Sequence, residues 1–267
     1  MSNQAMNKNI LSLGRECIRL VSSDKERFSF LGGKPMVSSS FGWPRKNEKP
    51  LGFIAQLDLE EINTDKILDW LPGTGRLLFF YDLEEWPWGF DPKDKGGWSV
   101  IYDSGNSELR LQDVPSDMNV EHVAPTIKYV ERKLFTSYPD GQRVDFEAIG
   151  LSEDDDDEYY DFLDEHFGDE PRHQVGGFPS PVQNDCMEED CQLVSGGVYC
   201  GNSDGYNSDQ AELLRAKEND WRLLFQFDSD DDVEAMWGDM GMLYFWIKES
   251  DARKNIFAGA WMVLQCG

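Results

Sequence analysis

Seven short runs of residues constrain this chain more than any other feature. Leu51–Leu57, Gly75–Tyr81, Trp98–Tyr102, Ile127–Leu134, Leu223–Phe227, Met242–Ile247 and Gly259–Leu264 are β-branched or aromatic-rich and bounded by Gly, Pro or Asp. Runs of this length with this punctuation form strands. The expected class is therefore α+β and strand-dominated, with a few peripheral helices.

Two portions of the chain share an order of signals. Phe41-Gly42-Trp43-Pro44 precedes the run Leu51–Leu57, an acidic turn Asp58–Glu61 and Gly75-Arg76-Leu77-Leu78-Phe79-Phe80. Gly176-Gly177-Phe178-Pro179 precedes Trp221–Phe227, an acidic turn Asp228–Asp232 and Gly241-Met242-Leu243-Tyr244-Phe245-Trp246. This order predicts a pseudo-duplicated β-rich body, and a spacing near 170 residues does not imply a solenoid. The expected organisation is one domain over residues 1–267, with similar halves at about 1–135 and 170–267 joined by an acidic segment, 145–170.

Three helices are expected. Ile10, Leu13, Cys17, Ile18 and Val21 lie at helical spacing near the start. A second helix is expected over 153–167, where Tyr159, Tyr160, Phe162, Leu163 and Phe167 recur at intervals of three and four and Gly168 suits the end. A third is expected over Ser208–Lys217, with Ser208 as its cap.

Charge narrows the partners. The chain carries 25 Lys+Arg against 51 Asp+Glu, a formal net charge of −26. Residues 134–267 hold 8 basic and 31 acidic side chains, so nearly all of the imbalance lies there. The densest stretch, Asp145–Glu170, has 13 carboxylates and no Lys or Arg. Such a field repels phosphate backbones and anionic membranes and favours cationic partners. No run reaches the roughly 18 apolar residues needed to cross a bilayer, and the polar start Met1–Asn9 predicts no signal peptide. Five scattered cysteines, an odd number, predict reduced thiols and a cytoplasmic protein.

Catalytic and metal signals are weak. Gly201-Asn202-Ser203-Asp204-Gly205 has the Gly-x-Ser-x-Gly form, but a hydrolase elbow needs a His later in the chain. His122, His166 and His173 all precede Ser203, and the run reads first as a turn. Asp228, Asp230, Asp232 and Asp239 fall at loop positions 1, 3, 5 and 12 of a calcium pattern, but Val233 stands where the sharp turn needs Gly. Asp154–Glu165 fails in the same way, with Tyr159 at that position. Cys186, Cys191, Cys200 and His173 lack the matched pairs of a zinc site. Gly73-Thr74-Gly75 lacks the Lys and spacing of a phosphate loop, and no cofactor motif is found. The aromatics Trp86, Trp88, Phe90 and Trp98 flank the loop Glu85–Gly97 and are expected to fold onto the sheet, the alternative being an exposed recognition loop.

Together, Gly32-Gly33-Lys34-Pro35, Trp43-Pro44, Pro50-Leu51-Gly52-Phe53-Ile54-Ala55-Gln56-Leu57, Gly75–Phe80, His173–Pro179, Leu223–Asp228 and Met236-Trp237-Gly238-Asp239-Met240-Gly241 resemble the YwqG-like bacterial family, a domain of unknown function. The resemblance runs from about Arg15 to Cys266. It implies an α+β, pseudo-duplicated fold and no catalytic residue. Structural roles are implied for Gly32, Gly33 and Gly241 where backbone needs room, for Gln56 inside a strand, and for Trp237, Gly238 and Asp239 in a turn. Members of such families are often encoded beside secreted polymorphic toxins, which implies an immunity role.

The expected function is a non-enzymatic acidic interaction protein, a bacterial immunity protein that occludes a basic cognate toxin, with no nucleic-acid or membrane partner. The expected contact surface is Asp154, Asp155, Asp156, Asp157, Glu158, Asp161, Asp164 and Glu165, with Tyr159, Tyr160 or Trp88 as aromatic anchors. The rival is a small-ligand or divalent-ion module, or an unrecognised enzyme. It would use the cleft between the halves, with Asp228, Asp230, Asp232 and Asp239 as weak metal candidates. A third reading gives the carboxylates only a role in solubility.

Overall fold

A computed structural model describes residues 9–39, 41–105, 108–119, 126–151 and 156–267. The first part of the chain forms β1 (Arg15–Ser22), β2 (Phe30–Gly32), β3 (Met36–Ser38), β4 (Arg45–Lys46), β5 (Lys49–Pro50), β6 (Gly52–Asp58), α1 (Leu59–Ile62), β7 (Arg76–Tyr81), β8 (Trp98–Asp103), β9 (Leu109–Leu111) and β10 (Ile127–Ser137). The rest forms α2 (Asp156–Phe167), β11 (Gln174–Val175), α3 (Met187–Ser195), α4 (Ser203–Tyr206), α5 (Asp209–Arg215), β12 (Trp221–Asp228), β13 (Met242–Lys248), α6 (Glu249–Ala252) and β14 (Trp261–Gln265). All seven expected strands are present, and the fold is α+β with strands dominant.

Ten strands make one sheet in the order β14-β13-β12-β11-β1-β10-β2-β6-β7-β8. Every neighbouring pair in it is antiparallel. Strands β6, β7, β13 and β14 are buried along nearly their whole length, which explains why they read as continuous apolar runs rather than alternating ones. Their inner faces meet across the molecule. The Phe79 ring lies 4.8 Å from Phe225 and 5.1 Å from Phe245, although six steps of the sheet separate β7 from β12. Curvature brings the two edges together at a seam. There Trp98 packs 4.9 Å from Trp261 and donates its indole N–H to the Ala260 carbonyl at 3.0 Å.

The order is symmetric in content about the central pair β1–β10, with β2, β6, β7 and β8 on one flank and β11, β12, β13 and β14 on the other. Both β6 and β12 carry a register shift, between Phe53 and Ala55 and between Leu223 and Phe225. A fully buried glutamine follows each. Gln56 accepts from the Met36 N–H at 2.9 Å and donates to the Phe28 carbonyl at 2.9 Å. Gln226 accepts from the Ser180 N–H at 2.9 Å and donates to the Arg172 carbonyl at 2.7 Å. Each glutamine thus ties the two ends of a segment containing Gly-Gly-x-Pro. The counterpart of Gly176–Pro179 is therefore Gly32–Pro35, and the sequence pairing with Phe41–Pro44 is corrected. Both glycine pairs sit at positive φ, 65° and 71° against 74° and 74°. At Gly177 a Cβ would lie 2.2 Å from Ser137 Oγ.

The N-terminal helix is also corrected. Only residues 9–11 are helical among those described there, and Arg15–Ser22 is a strand hydrogen-bonded to β10 on one side and β11 on the other. Cys17, Ile18, Arg19 and Leu20 are buried consecutively, a central-strand pattern that a short window of helical spacing mimics. The other two helices form, as α2 and as α5 with the Ser208 hydroxyl accepting from the Ala211 N–H.

Replacing Gln226 with Leu keeps the volume but strands two buried backbone groups, at about 1–3 kcal/mol each. Urea unfolding of Gln226→Leu is expected to show a loss of about 2–6 kcal/mol, and Gln56→Leu a loss of the same size. A change below about 0.5 kcal/mol in either would show that the glutamines do not hold these segments.

Candidate functional site

The acidic segment folds as a helix with one anchored face. Tyr159, Leu163 and Phe167, spaced at four, are buried against Ile10, Tyr138, Ile149 and Leu151. The Tyr159 hydroxyl donates to the Pro139 carbonyl at 2.7 Å, and Gly168 follows the last turn at φ 66°. Tyr159 is wholly interior, so its expected role as a contact anchor is withdrawn: an aromatic at this position is needed to hold the helix down.

The opposite face carries Asp157, Glu158, Asp161, Asp164 and Glu165, all exposed. Among the described residues only Asp164 meets a cation, Arg172 at 3.8 Å. Tyr160 is 39% exposed on the same helix, its hydroxyl 3.5 Å from Asp140. Asp156 begins the helix, while Asp154 and Asp155 lie outside the described residues. Trp88 is not brought to this face. It is 44% exposed on the seam loop, whose backbone accepts from the Leu264 N–H of β14 at 3.0 Å, four strands from β1 in the sheet. Trp86 turns inward against Tyr81 and Trp237.

The second acidic cluster is a structural clamp. Asp230 is buried and accepts from Lys128 Nζ at 2.8 Å and His173 Nε2 at 2.9 Å. His173 Nδ1 accepts from the Asp228 N–H at 3.2 Å, so the ring proton sits on Nε2 and is donated to Asp230. Burial alone would raise the Asp230 pKa, but the hydrogen bonds from His173 and Lys128 outweigh it and hold the carboxyl well below the usual carboxylate range. Asp232 takes a second contact from Lys128 at 2.9 Å. Asp228 accepts from the Arg172 N–H at 2.7 Å, and burial pushes its pKa up. Asp239 is exposed and contributes its carbonyl to the Gly267 N–H at 2.9 Å. The four carboxylates are thus not gathered round a cation site, and among the described residues no cluster of three or more His, Cys, Asp or Glu is placed to hold a metal. In the same turn Gly241 fits where a Cβ would lie 2.2 Å from the Trp237 carbonyl.

Cys186 and Cys200 have their thiols pushed up to about 12 by burial, so neither is an activated nucleophile. Ser203 begins the four-residue α4, where Asn202 caps the Asp204 N–H. No described helix is long and apolar enough to cross a membrane.

Sequence reasoning missed one feature altogether. A cavity of about 550 Å³ is lined by Arg15, Arg143 and Arg222 together with Trp70, Trp221 and Trp246. No sequence signal could have found it, because its residues come from segments dispersed between positions 15 and 246.

A family model described as a domain of unknown function, DUF1963, matches residues 29–266. No curated protein matches the chain.

A carboxylate whose folded pKa lies below its ordinary 3.8 stabilises the fold fully above that pH and loses the contribution as pH falls toward the folded value. Asp230→Ala, which leaves Lys128 without its buried partner, is expected to cost about 3–5 kcal/mol at neutral pH. In urea unfolding the gap from wild type should narrow below about pH 4. A gap independent of pH would contradict the clamp.

Proposed function

From a chain that belongs to the DUF1963 family, a domain of unknown function, we propose a non-enzymatic interaction protein that presents the outer face of α2 to a basic protein partner. More finely, it is a YwqG-like bacterial immunity protein, acting in the cytoplasm, that occludes the cleft of a cognate toxin. The observation that carries this reading is the exposed carboxylate row Asp157, Glu158, Asp161 and Glu165, none of which meets a cation among the described residues. The first-turn carboxylates suit the positive end of the helix dipole, but along the rest of the row unneutralised charge of one sign repels itself. It gains value when a complementary surface arrives, by steering encounter and rejecting partners of like charge. Tyr160, half-exposed at the edge of this row, is the aromatic group best placed to anchor such a contact. The non-enzymatic part is supported by the two histidines among the described residues, each of which has a ring nitrogen already engaged. His173 is committed to Asp230, and His166 Nε2 lies 2.6 Å from the Thr136 carbonyl.

The test is capture of partners on the tagged protein from its native bacterium at low and moderate salt, with the flanking genes read alongside. Recovery of a neighbour-encoded basic toxin domain supports the immunity reading, and recovery of nothing with no toxin gene nearby overturns it. With the partner in hand, Asp157→Lys, Glu158→Lys, Asp161→Lys and Glu165→Lys combined should slow association about tenfold or more at low salt and flatten its salt dependence. An unchanged on-rate removes this face from the interface.

A further inference from the structure

In a chain with net charge −26, three arginines line one cavity of about 550 Å³, within the size range of small-molecule sites. The cavity lies where the first half meets the second, with Ile67 and Leu68 on one wall and the start of β1, the Gly176-Gly177 turn and the first residues of β12 on the others. Two of the arginines are committed. Glu188 takes Arg143 through both carboxylate oxygens, at 2.9 and 2.6 Å, and Asp185, whose side chain is wholly buried, accepts from Arg143 as well. Arg222 pairs with Glu249 at 2.8 Å and donates to the Asn219 and Trp221 carbonyls at 2.7 and 2.9 Å.

Arg15 is the exception. Its guanidinium lies over the Phe178 ring at 3.9 Å, and its side chain makes neither an ion pair nor a hydrogen bond among the described residues. Although this side chain reaches solvent, partial burial lowers its pKa, and repulsion from Arg143 and Arg222 lowers it further against the pull of Glu188. Glu16 follows on the strand, where successive side chains point to opposite faces, and it forms no ion pair with Arg15. The cation is thus held by a ring rather than by an anion, with two other cations nearby.

The ring beneath it is fixed. Phe178 is 8% exposed, its N–H donates to the Ser137 hydroxyl at 2.8 Å, and its carbonyl accepts from Gln174 Nε2 at 2.8 Å. Arg15 itself stands in register opposite Ser137 of β10. A guanidinium stacked by its face keeps its N–H groups in the plane, at its edge. A planar donor fork is therefore set on the cavity wall with nothing to donate to. The surroundings are hydrophilic. Trp221 and Trp246 line the cavity but are 2% and 1% exposed, whereas the exposed side chains on its walls, Arg15, Glu16 and Asn219, are all polar.

We propose that this cavity binds a small hydrophilic oxyanion, a phosphate or carboxylate group received by the free edge of Arg15. A guanidinium matches two anionic oxygens bidentately, and Arg15 is the arginine of the three whose fork is uncommitted. The bound charge also offsets the repulsion that Arg143 and Arg222 exert on Arg15. The site uses none of the α2 carboxylates and so stands or falls separately from the reading above.

The probes are inorganic phosphate, glycerol 3-phosphate and malate, titrated into the full chain by calorimetry at constant ionic strength, with chloride making up the balance. Glycerol 3-phosphate and malate distinguish a phosphate from a carboxylate source, and uncharged glycerol should not bind. At least one of the three oxyanions should saturate the protein with a millimolar or tighter dissociation constant, despite the net charge of −26. Arg15→Gln removes a side chain that pairs with no carboxylate, and should weaken that binding about tenfold or more, as expected for loss of charge-assisted hydrogen bonds. Arg15→Lys keeps the charge without the fork and should weaken it less than Arg15→Gln does. The proposal is overturned if none of the three oxyanions saturates the protein up to about 10 mM, or if Arg15→Gln binds as the wild type does.

Discussion

The interior rests on a sheet that covers its own apolar face. Ten strands expose more apolar surface than the chain's short helices can shield, and the inner faces of the two flanks close on each other, with Phe79 between Phe225 and Phe245. Closure then dictates what lies at the edges. Unpaired edge strands invite aggregation, and here β8 and β14 are joined through Trp98, Trp261 and the loop between Tyr81 and Trp98. Gly89 in that loop runs so close to β14 that a Cβ would fall 1.9 Å from the Met262 carbonyl, and the Trp261 indole N–H donates to the Gly89 carbonyl at 2.8 Å. Most of the loop's aromatic surface is consumed by the seam, which leaves Trp88 as its exposed ring.

Strands buried on both faces must satisfy polar groups internally, and beside the glycine pairs the two flanks do so with one plan and different chemistry. Three residues before each glycine pair stands a side chain that accepts from the last backbone N–H of the bulged strand: Ser29 from Asp58 at 2.9 Å, and His173 from Asp228 at 3.2 Å. The serine is compact, and its single hydroxyl proton can rotate to suit its surroundings. The imidazole has a second nitrogen, and its proton requires an acceptor, so the second flank carries Asp230 and, to balance it, Lys128 from β10. The first flank instead places Arg76 between Asp58 at 4.0 Å and Asp103 at 3.7 Å. The acidic turn after β12 that resembles a cation loop is thus the electrostatic completion of a buried histidine.

Legibility in the sequence followed the strength of the local signal. Strands such as β7 and β13, six or seven apolar residues long with flanking turn formers, were readable because one local cause decides them. β2 and β11 are three and two residues long, and β1 mixes Arg with Ile and Leu, so partners elsewhere in the chain decide them. The glycine pairs were visible as letters, but their equivalence emerges only through Gln56 and Gln226, which bond to backbone distant in sequence. The acidic helix was legible from its 3.6-residue period, although the same period could not tell that Tyr159 faces inward and Tyr160 outward. The arginine cavity was invisible, because a composition dominated by carboxylates hides a local excess of guanidinium and no spacing links Arg15 to Arg222.

That contrast between global and local charge bears on what the carboxylates do. If they served only to keep the chain dissolved, a flexible acidic stretch would suffice, with no need to order it. α2 instead buries Tyr159, Leu163 and Phe167 in a satellite core of their own, and the Tyr159 hydroxyl is bonded back to the chain. Ordering twelve residues costs roughly 1–2 kcal/mol each in backbone entropy. It also fixes like charges at one-turn spacing, where they repel. The apolar burial offsets the entropy and the first-turn carboxylates gain the helix dipole, but the carboxylates further along gain within the monomer only the Arg172 contact of Asp164 among the described residues. A surface that must present carboxylates at set positions gains preorganisation, because the entropy of ordering is lost on folding rather than on binding.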